Sequence, residues 1–173
     1  QAKGFVISVP PADTIRPMQV MIKRRVFDSY QNLEGVTFVD LCAGSGAVGL
    51  EAWSRGADEI YYSEFSKRVY KVFTKNITNF TKQYFSEIQS RPISHVNKPC
   101  LQFLKDFQHK YATWSLDKKE NTILFFAPPY PSHEVYEETL NYIRKSKWFV
   151  GQMWIESCEN KGPNREAIQE WGK

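Results

Sequence analysis

Residues 36–52 read Val36-Thr37-Phe38-Val39-Asp40-Leu41-Cys42-Ala43-Gly44-Ser45-Gly46-Ala47-Val48-Gly49-Leu50-Glu51-Ala52. The pattern predicts a buried strand over 36–41, a glycine-rich turn and a helix over 45–54. Gly44 and Gly46 allow the backbone to turn sharply and to approach a ligand closely. The helix behind them offers free N–H groups and the positive end of its dipole. An adenosine-containing cofactor is the ligand class such a turn expects.

Working outward, the chain alternates strand-like and helix-like segments. Strands are expected over 5–9, 59–63, 93–96, 122–126 and 152–156. Helices are expected over 18–30, 67–81, 100–111, 134–144 and 164–171, and Arg55-Gly56 is the stop of the helix over 45–54. Alternation of this kind predicts an α/β fold: a doubly wound, mostly parallel sheet with helices on both faces, Rossmann-like. One domain is expected over 1–173, with an N-terminal extension and helix over 1–33 and the core over 34–173. Ligands in such sheets bind at the carboxyl ends of the strands. The glycine turn, Glu64 and Pro128-Pro129-Tyr130 all fall at predicted strand ends, so they should share one edge.

Composition narrows the class. The 173 residues are 42% apolar and carry a net charge of +4, a mild basic excess that permits a nucleic-acid partner without demanding one. Aromatic side chains reach 15%, and most are expected in the core. Cys42, Cys100 and Cys158 are widely spaced and follow no ligand pattern, so neither a disulfide framework nor a metal centre is expected. A reducing cytoplasm fits. No signal peptide or long apolar span is present, so no membrane is expected. The chain opens on Gln1 where a natural start would have Met, so a start further upstream is expected.

Gly44-Ser45-Gly46-Ala47-Val48-Gly49 satisfies GxGxxG, and Glu64 follows at about the spacing of a ribose-binding acid. Both features suit a nicotinamide dinucleotide and S-adenosylmethionine alike. Asp40 tips the balance. At the end of the first strand a carboxylate can hold the ammonium of a methionine moiety, whereas it would repel a pyrophosphate. Pro128-Pro129-Tyr130, after the strand over 122–126, points the same way. A nucleotide-binding oxidoreductase, resting on GxGxxG alone, is the weaker reading.

With these residues the sequence resembles the RsmD-type methyltransferases, which methylate the exocyclic N2 of a guanine in 16S ribosomal RNA. The resemblance spans 3–157. It rests on Lys3-Gly4, on Ile15-Arg16-Pro17 leading to Val26-Phe27-Asp28, on 39–52 with Ser54-Arg55-Gly56-Ala57, and on Pro128-Pro129-Tyr130 with Tyr136-Glu137. It implies a class I methyltransferase fold, S-adenosylmethionine as cofactor, a monomer, and ribosomal RNA within the assembling small subunit as partner. Carried over by position, Asp40, Leu41, Ala43, Gly44, Ser45, Gly46, Glu64, Phe65 and Cys100 would line the cofactor site. Ala127, Pro128, Pro129 and Tyr130 would form the catalytic segment. Arg16, Lys23, Arg24 and Arg25 would contact RNA.

The departures matter chemically. The family's segment begins with Asp or Asn, and here that place is Ala127. A side-chain oxygen there and the adjacent backbone carbonyl would accept the two N–H bonds of an exocyclic amine, while Tyr130 stacks on the flipped base. An Ala methyl accepts nothing, and losing a positioned acceptor typically costs about 10²–10³ in rate. The Asp expected after the third strand is replaced by Asn97-Lys98-Pro99-Cys100, and the Thr-rich, Arg-bearing start of the first helix by Met18-Gln19-Val20-Met21. The family's final strands have no evident counterpart after Glu156, so a cut chain is one expectation. The leading reading is an RNA methyltransferase weakened at Ala127. The alternative is a catalytically silent RNA- or ribosome-binding homologue, and adenine-N6 or protein-glutamine methylation uses the same Pro-Pro-Tyr logic. Cys42 reads as packing and not as a nucleophile, and Glu156 reads as structural.

Overall fold

The computed structural model describes residues 4–10, 27–157 and 162–171. Five parallel strands, β1 (Thr37–Asp40), β2 (Glu59–Ser63), β3 (Ile93–Val96), β4 (Thr122–Phe126) and β5 (Gln152–Ile155), form one sheet in the order β3-β2-β1-β4-β5. Between and after them run α1 (Ala47–Ser54), α2 (Lys67–Gln83), α3 (Phe85–Ser90), α4 (Cys100–Ala112), α5 (Leu116–Glu120), α6 (His133–Ser146) and α7 (Arg165–Trp171). The strand order reverses between β1 and β4, and Asp40 stands there, opposite Tyr62 on one side and Phe125 on the other. That gap is the switch point at which doubly wound sheets hold ligands.

Every residue of β1 and β4 is buried, as a parallel sheet covered on both faces requires. Alternation along the strands sorts the side chains into two layers. Phe38, Ile60, Tyr62, Ile123 and Phe125 meet α1 and α2 through Leu50, Trp53, Phe73 and Phe80. Val39, Tyr61, Leu124 and Phe126 meet α4 and α6 through Leu104, Phe107, Tyr111 and Leu140. Each such side chain removed from water contributes roughly 1.5–3 kcal/mol. Much of the high aromatic content is spent here, as in the edge-on pairs Trp53–Phe80 and Phe107–Trp114.

The five core strands lie where the pattern predicts, shortened at the ends of β1 and β5. Gly56, at φ +107°, ends α1 in a conformation that disfavours any side chain. Two expectations need correction, and a third cannot be compared. The stretch over 5–9 is no strand: the Ser8 backbone N–H and C=O bond to the side-chain amide of Asn76 instead of to a neighbouring strand, and the Phe5 ring meets Phe80 edge-on. Helices α3 and α5 were not anticipated, being too short to show a period; α5 starts because Ser115 accepts the Lys118 N–H. The helix over 18–30 lies outside the described residues except at its end, where Phe27 and Asp28 are helical. No described helix is long and apolar enough to cross a membrane.

Candidate active site at the glycine turn

The turn between β1 and α1 is pinned from four sides. Gly44 and Gly46 both take positive φ, +56° and +84°, which is why neither can carry a side chain cheaply. Gly46 N–H bonds back to the Ala43 carbonyl at 2.7 Å, and Ala43 N–H reaches the Ser63 carbonyl on β2 at 2.9 Å. Tyr62 Oη donates to the Gly46 carbonyl at 3.0 Å, and Asn76 Nδ2 from α2 donates to the Ser45 carbonyl at 2.9 Å. Buried Tyr62 and Asn76 were not singled out from the sequence. The available signal was a polar Asn within the apolar stripe Val69, Phe73, Ile77 and Phe80 of α2.

Glu64 closes the turn. Its Oε2 accepts the Gly44 N–H at 2.9 Å and its Oε1 accepts the Ser66 N–H at 2.8 Å. Burial raises its pKa above the ordinary carboxylate value, and the backbone N–H groups of Ser66, Gly44 and Phe65 pull it back. Asn97 Nδ2 donates to the carbonyls of Glu64 and Phe65 at 2.6 and 3.0 Å, so the residue in place of the expected Asp braces the end of β2. Phe65 is 71% exposed beside it.

Asp40 is the anomaly. It is 1% exposed, and neither carboxylate oxygen completes a hydrogen bond among the described residues. Desolvation pushes its pKa from 3.8 to about 7; the facing amides of Cys42 and Gly49 lower it, and the charges of Glu64 and Glu156 raise it. A buried, unpartnered carboxylate is expensive unless a cation or donor meets it.

Leu41 turns its side chain into the core layer packed on α4 and α6, and its N–H is used by the Phe125 carbonyl. Cys100 opens α4 with its thiol turned toward Thr139, Sγ to Oγ1 at 3.5 Å, and toward Cys42. A hydrogen bond between the two thiols lowers Cys100 to about 7 and raises Cys42. Cys42 thus packs, as expected, though against a second thiol. A cleft of about 300 Å³ adjoins this end of the site, between β3 and α4, and is lined by Tyr61, Val96, Lys98, Phe103 and Asp106. It does not reach Asp40 or the glycine turn.

Beyond β4, Ala127 and Tyr130 are half-buried, Pro128 is buried and Pro129 is exposed. Tyr130 Oη donates to Glu156 Oε1 at 2.6 Å. Tyr136 Oη lies 2.7 Å from the Glu156 carbonyl and 3.2 Å from that of Pro128. Gly162 approaches the Tyr130 backbone so closely that an added Cβ would meet the Tyr130 carbonyl at 2.8 Å. The structure thus brings Asp40, the glycine turn, Glu64 and the Pro-Pro-Tyr segment to one edge. Arg16, Lys23, Arg24 and Arg25 lie outside the described residues. Among the described residues, no three His, Cys, Asp or Glu side chains gather to hold a metal ion.

The chain is similar to known proteins. The chain is 26% identical over 170 residues to ribosomal RNA small subunit methyltransferase D of Buchnera aphidicola, covering 98% of this chain and 80% of that protein. The Escherichia coli protein yhhF superposes with a TM-score of 0.64 at 26% identity, over 91% of this chain and 78% of that one. An RNA methyltransferase of Salinibacter ruber, solved with S-adenosyl-L-homocysteine, shares the fold at a TM-score of 0.50 and 12% identity, over 82% and 76% of the two chains. The family described as Conserved hypothetical protein 95 matches residues 1–173, so the chain belongs to that family, the RsmD-type family its glycine turn and Pro-Pro-Tyr segment resemble.

Proposed function

We propose that the protein is an S-adenosylmethionine-dependent methyltransferase acting on ribosomal RNA of the small subunit, at the N2 amine of a guanine. The observation that carries this reading is the buried Asp40 carboxylate behind the glycine turn, which faces the Cys42 and Gly49 amides but meets no cation among the described residues. The methionine ammonium of the cofactor supplies the positive charge that this carboxylate lacks, so the residues present fit the group. Glu64 offers its remaining acceptor capacity to ribose hydroxyls while it holds Gly44, and Phe65 offers an exposed ring to adenine. Bound there, the cofactor supplies an electrophilic methyl group on a sulfonium. Tyr130 stacks on the flipped base, and the Pro128 carbonyl, already shared with Tyr136, has a second lone pair for an amine N–H.

The relative from Buchnera aphidicola is named for small-subunit ribosomal RNA. The outer face of α2 adds a reason of its own. Lys67, Lys71, Lys75 and Lys82 are exposed, and none makes an ion pair among the described residues. They fall within an arc of about 80° on the helix, with successive lysines at four-residue spacing rising about 6 Å. The helix sequence KRVYKVFTKNITNFTKQ contains no acid at all. Such a stripe suits a phosphate backbone. We read 1–173 as one such domain, at work in the cytoplasm as a monomer.

Ala127 favours a second reading, a silent homologue that binds RNA and keeps the pocket. Two measurements decide. Calorimetric titration should show micromolar binding of S-adenosylmethionine or its demethylated product. Labelled methyl should then pass to immature small subunits and map to a guanine N2. Binding without transfer, in this protein and in Ala127→Asp alike, selects the silent reading; no binding of either compound removes both readings of the pocket.

A further inference from the structure

We infer that Glu156 supplies the side-chain acceptor that position 127 lacks, so that the site keeps a catalytic carboxylate delivered from the neighbouring strand; this rests on the methyltransferase reading above. The ladder between β4 and β5 pairs Phe126 with Ile155. It continues one step further, because Glu156 N–H bonds to the Phe126 carbonyl at 3.0 Å. That bond places Glu156 directly beside Ala127 in register. In a parallel pair, neighbours in register point to the same face, with strands about 4.8 Å apart. The face is fixed by the residues two positions earlier: Phe125 and Trp154 both pack in the core layer on α1 and α2. Ala127 and Glu156 therefore rise from the same face, which is also that of Asp40, two residues beyond Phe38 on β1. The negative charge of Glu156 raises the Asp40 pKa slightly, in keeping with this placement.

The side chain is held in place. Oε1 accepts the Tyr130 hydroxyl at 2.6 Å, and the backbone carbonyl accepts from Tyr136. Tyr130 is the ring proposed to stack on the base, so the carboxylate is tied to the residue that locates the substrate. A carboxylate has about four lone-pair sites, and one tyrosine bond leaves acceptor capacity for an amine. In the reaction, the guanine N2 lone pair forms the new N–C bond as the C–S bond of the sulfonium breaks. The electron pair stays on sulfur, leaving a neutral thioether. N2 then sheds its extra proton to the Glu156 carboxylate and from there to water. Because the proton leaves after the new bond forms, the carboxylate serves the barrier by orienting the amine and easing its developing charge.

The test is single-turnover methyl transfer to immature small subunits by the full chain and its variants, with cofactor affinity measured in parallel. Glu156→Ala should lower the rate constant about 100-fold, with KM for the subunit and Kd for the cofactor changed less than about threefold. Glu156→Gln, which keeps an acceptor oxygen, should retain most of the rate. Adding Ala127→Asp to Glu156→Ala should restore at least tenfold. The proposal is overturned if Ala127→Asp gives no rescue while Tyr130→Phe reproduces the whole loss, because Glu156 then only holds the tyrosine. It is also overturned if the unaltered protein is inactive while Ala127→Asp alone is active, a result that leaves the methyltransferase reading intact. Inactivity of every variant, with no cofactor binding, removes that reading together with this one.

Discussion

The Glu64 carboxylate is a clasp on Gly44: Oε2 accepts the Gly44 N–H at 2.9 Å across the gap between β2 and the turn, while Oε1 holds the Ser66 N–H at the start of α2. The acid expected to meet ribose is thus also what shapes the loop beneath it. Backbone N–H bonds to a charged acceptor contribute about 1.5–3 kcal/mol each. Glu64→Ala should therefore weaken cofactor binding by about 100-fold or more, beyond the loss of a ribose contact, and should lower the melting temperature. Calorimetry and thermal unfolding check both. A variant that binds normally would show that the loop holds its shape unaided.

Asp40 trades stability for binding. Its pKa rises from 3.8 in the unfolded chain to about 7 in the fold. Between those values the folded state holds more protons than the unfolded state, so its contribution to stability falls as pH rises from about 4 to about 7 and is at its most unfavourable above 7. At about 1.4 kcal/mol per pH unit the whole effect is on the order of 4 kcal/mol. Asp40→Asn should raise the melting temperature at pH 8 much more than at pH 5 and should abolish cofactor binding. A variant that melts lower at pH 8 would contradict this account.

The same group sets a pH dependence of binding. An ammonium beside Asp40 favours the ionised form, so binding at pH 6 must expel a proton that at pH 8 is already gone. Affinity should climb about tenfold per unit below pH 7 and level off above it. Titration in two buffers of different ionisation enthalpy counts the protons released, and a count of zero at pH 6 would rule the carboxylate out as the ammonium's partner.

Gly49 faces Tyr62, where a Cβ would lie 2.6 Å from the ring. That ring is buried and anchors the Gly46 carbonyl. Overpacking a site so close to backbone costs about 1–3 kcal/mol. Gly49→Ala should lower stability by about that amount and displace the turn, weakening cofactor binding in step. Chemical denaturation measures the first effect and calorimetry the second.

The cationic stripe of α2 makes a prediction about salt. Lys71→Glu with Lys75→Glu should weaken RNA binding whatever the sequence and should flatten the plot of log affinity against log salt by at least about 1.5 units, while leaving cofactor affinity unchanged. An unchanged slope would assign the phosphate contacts to other residues.

The architecture was legible because its signals are local. The apolar runs of β1, β2 and β4 and the stripe of α2 follow from periodicity, and the glycine turn follows from a conformation only glycine takes cheaply. Asp40, Glu64 and Pro-Pro-Tyr share an edge because parallel strands all end on one side. The partners of other side chains were not legible from the sequence. Asn76 holding Ser8 and Ser45, Tyr62 holding Gly46, and the Cys42–Cys100 thiol contact each join residues that chain spacing does not pair. The stretch over 5–9 alternates like a strand, yet a side-chain amide, that of Asn76, takes the Ser8 backbone N–H and C=O where a ladder was expected.

By itself the sequence determined the doubly wound class, the cofactor turn and the absence of an acceptor at Ala127, all of which depend on residue type and spacing within one segment. The tertiary structure alone decided that Asp40 is buried with no completed hydrogen bond among the described residues and that Glu156 stands beside Ala127 on the same face. Those facts depend on strand order and register, and both are set by packing between segments far apart in the chain.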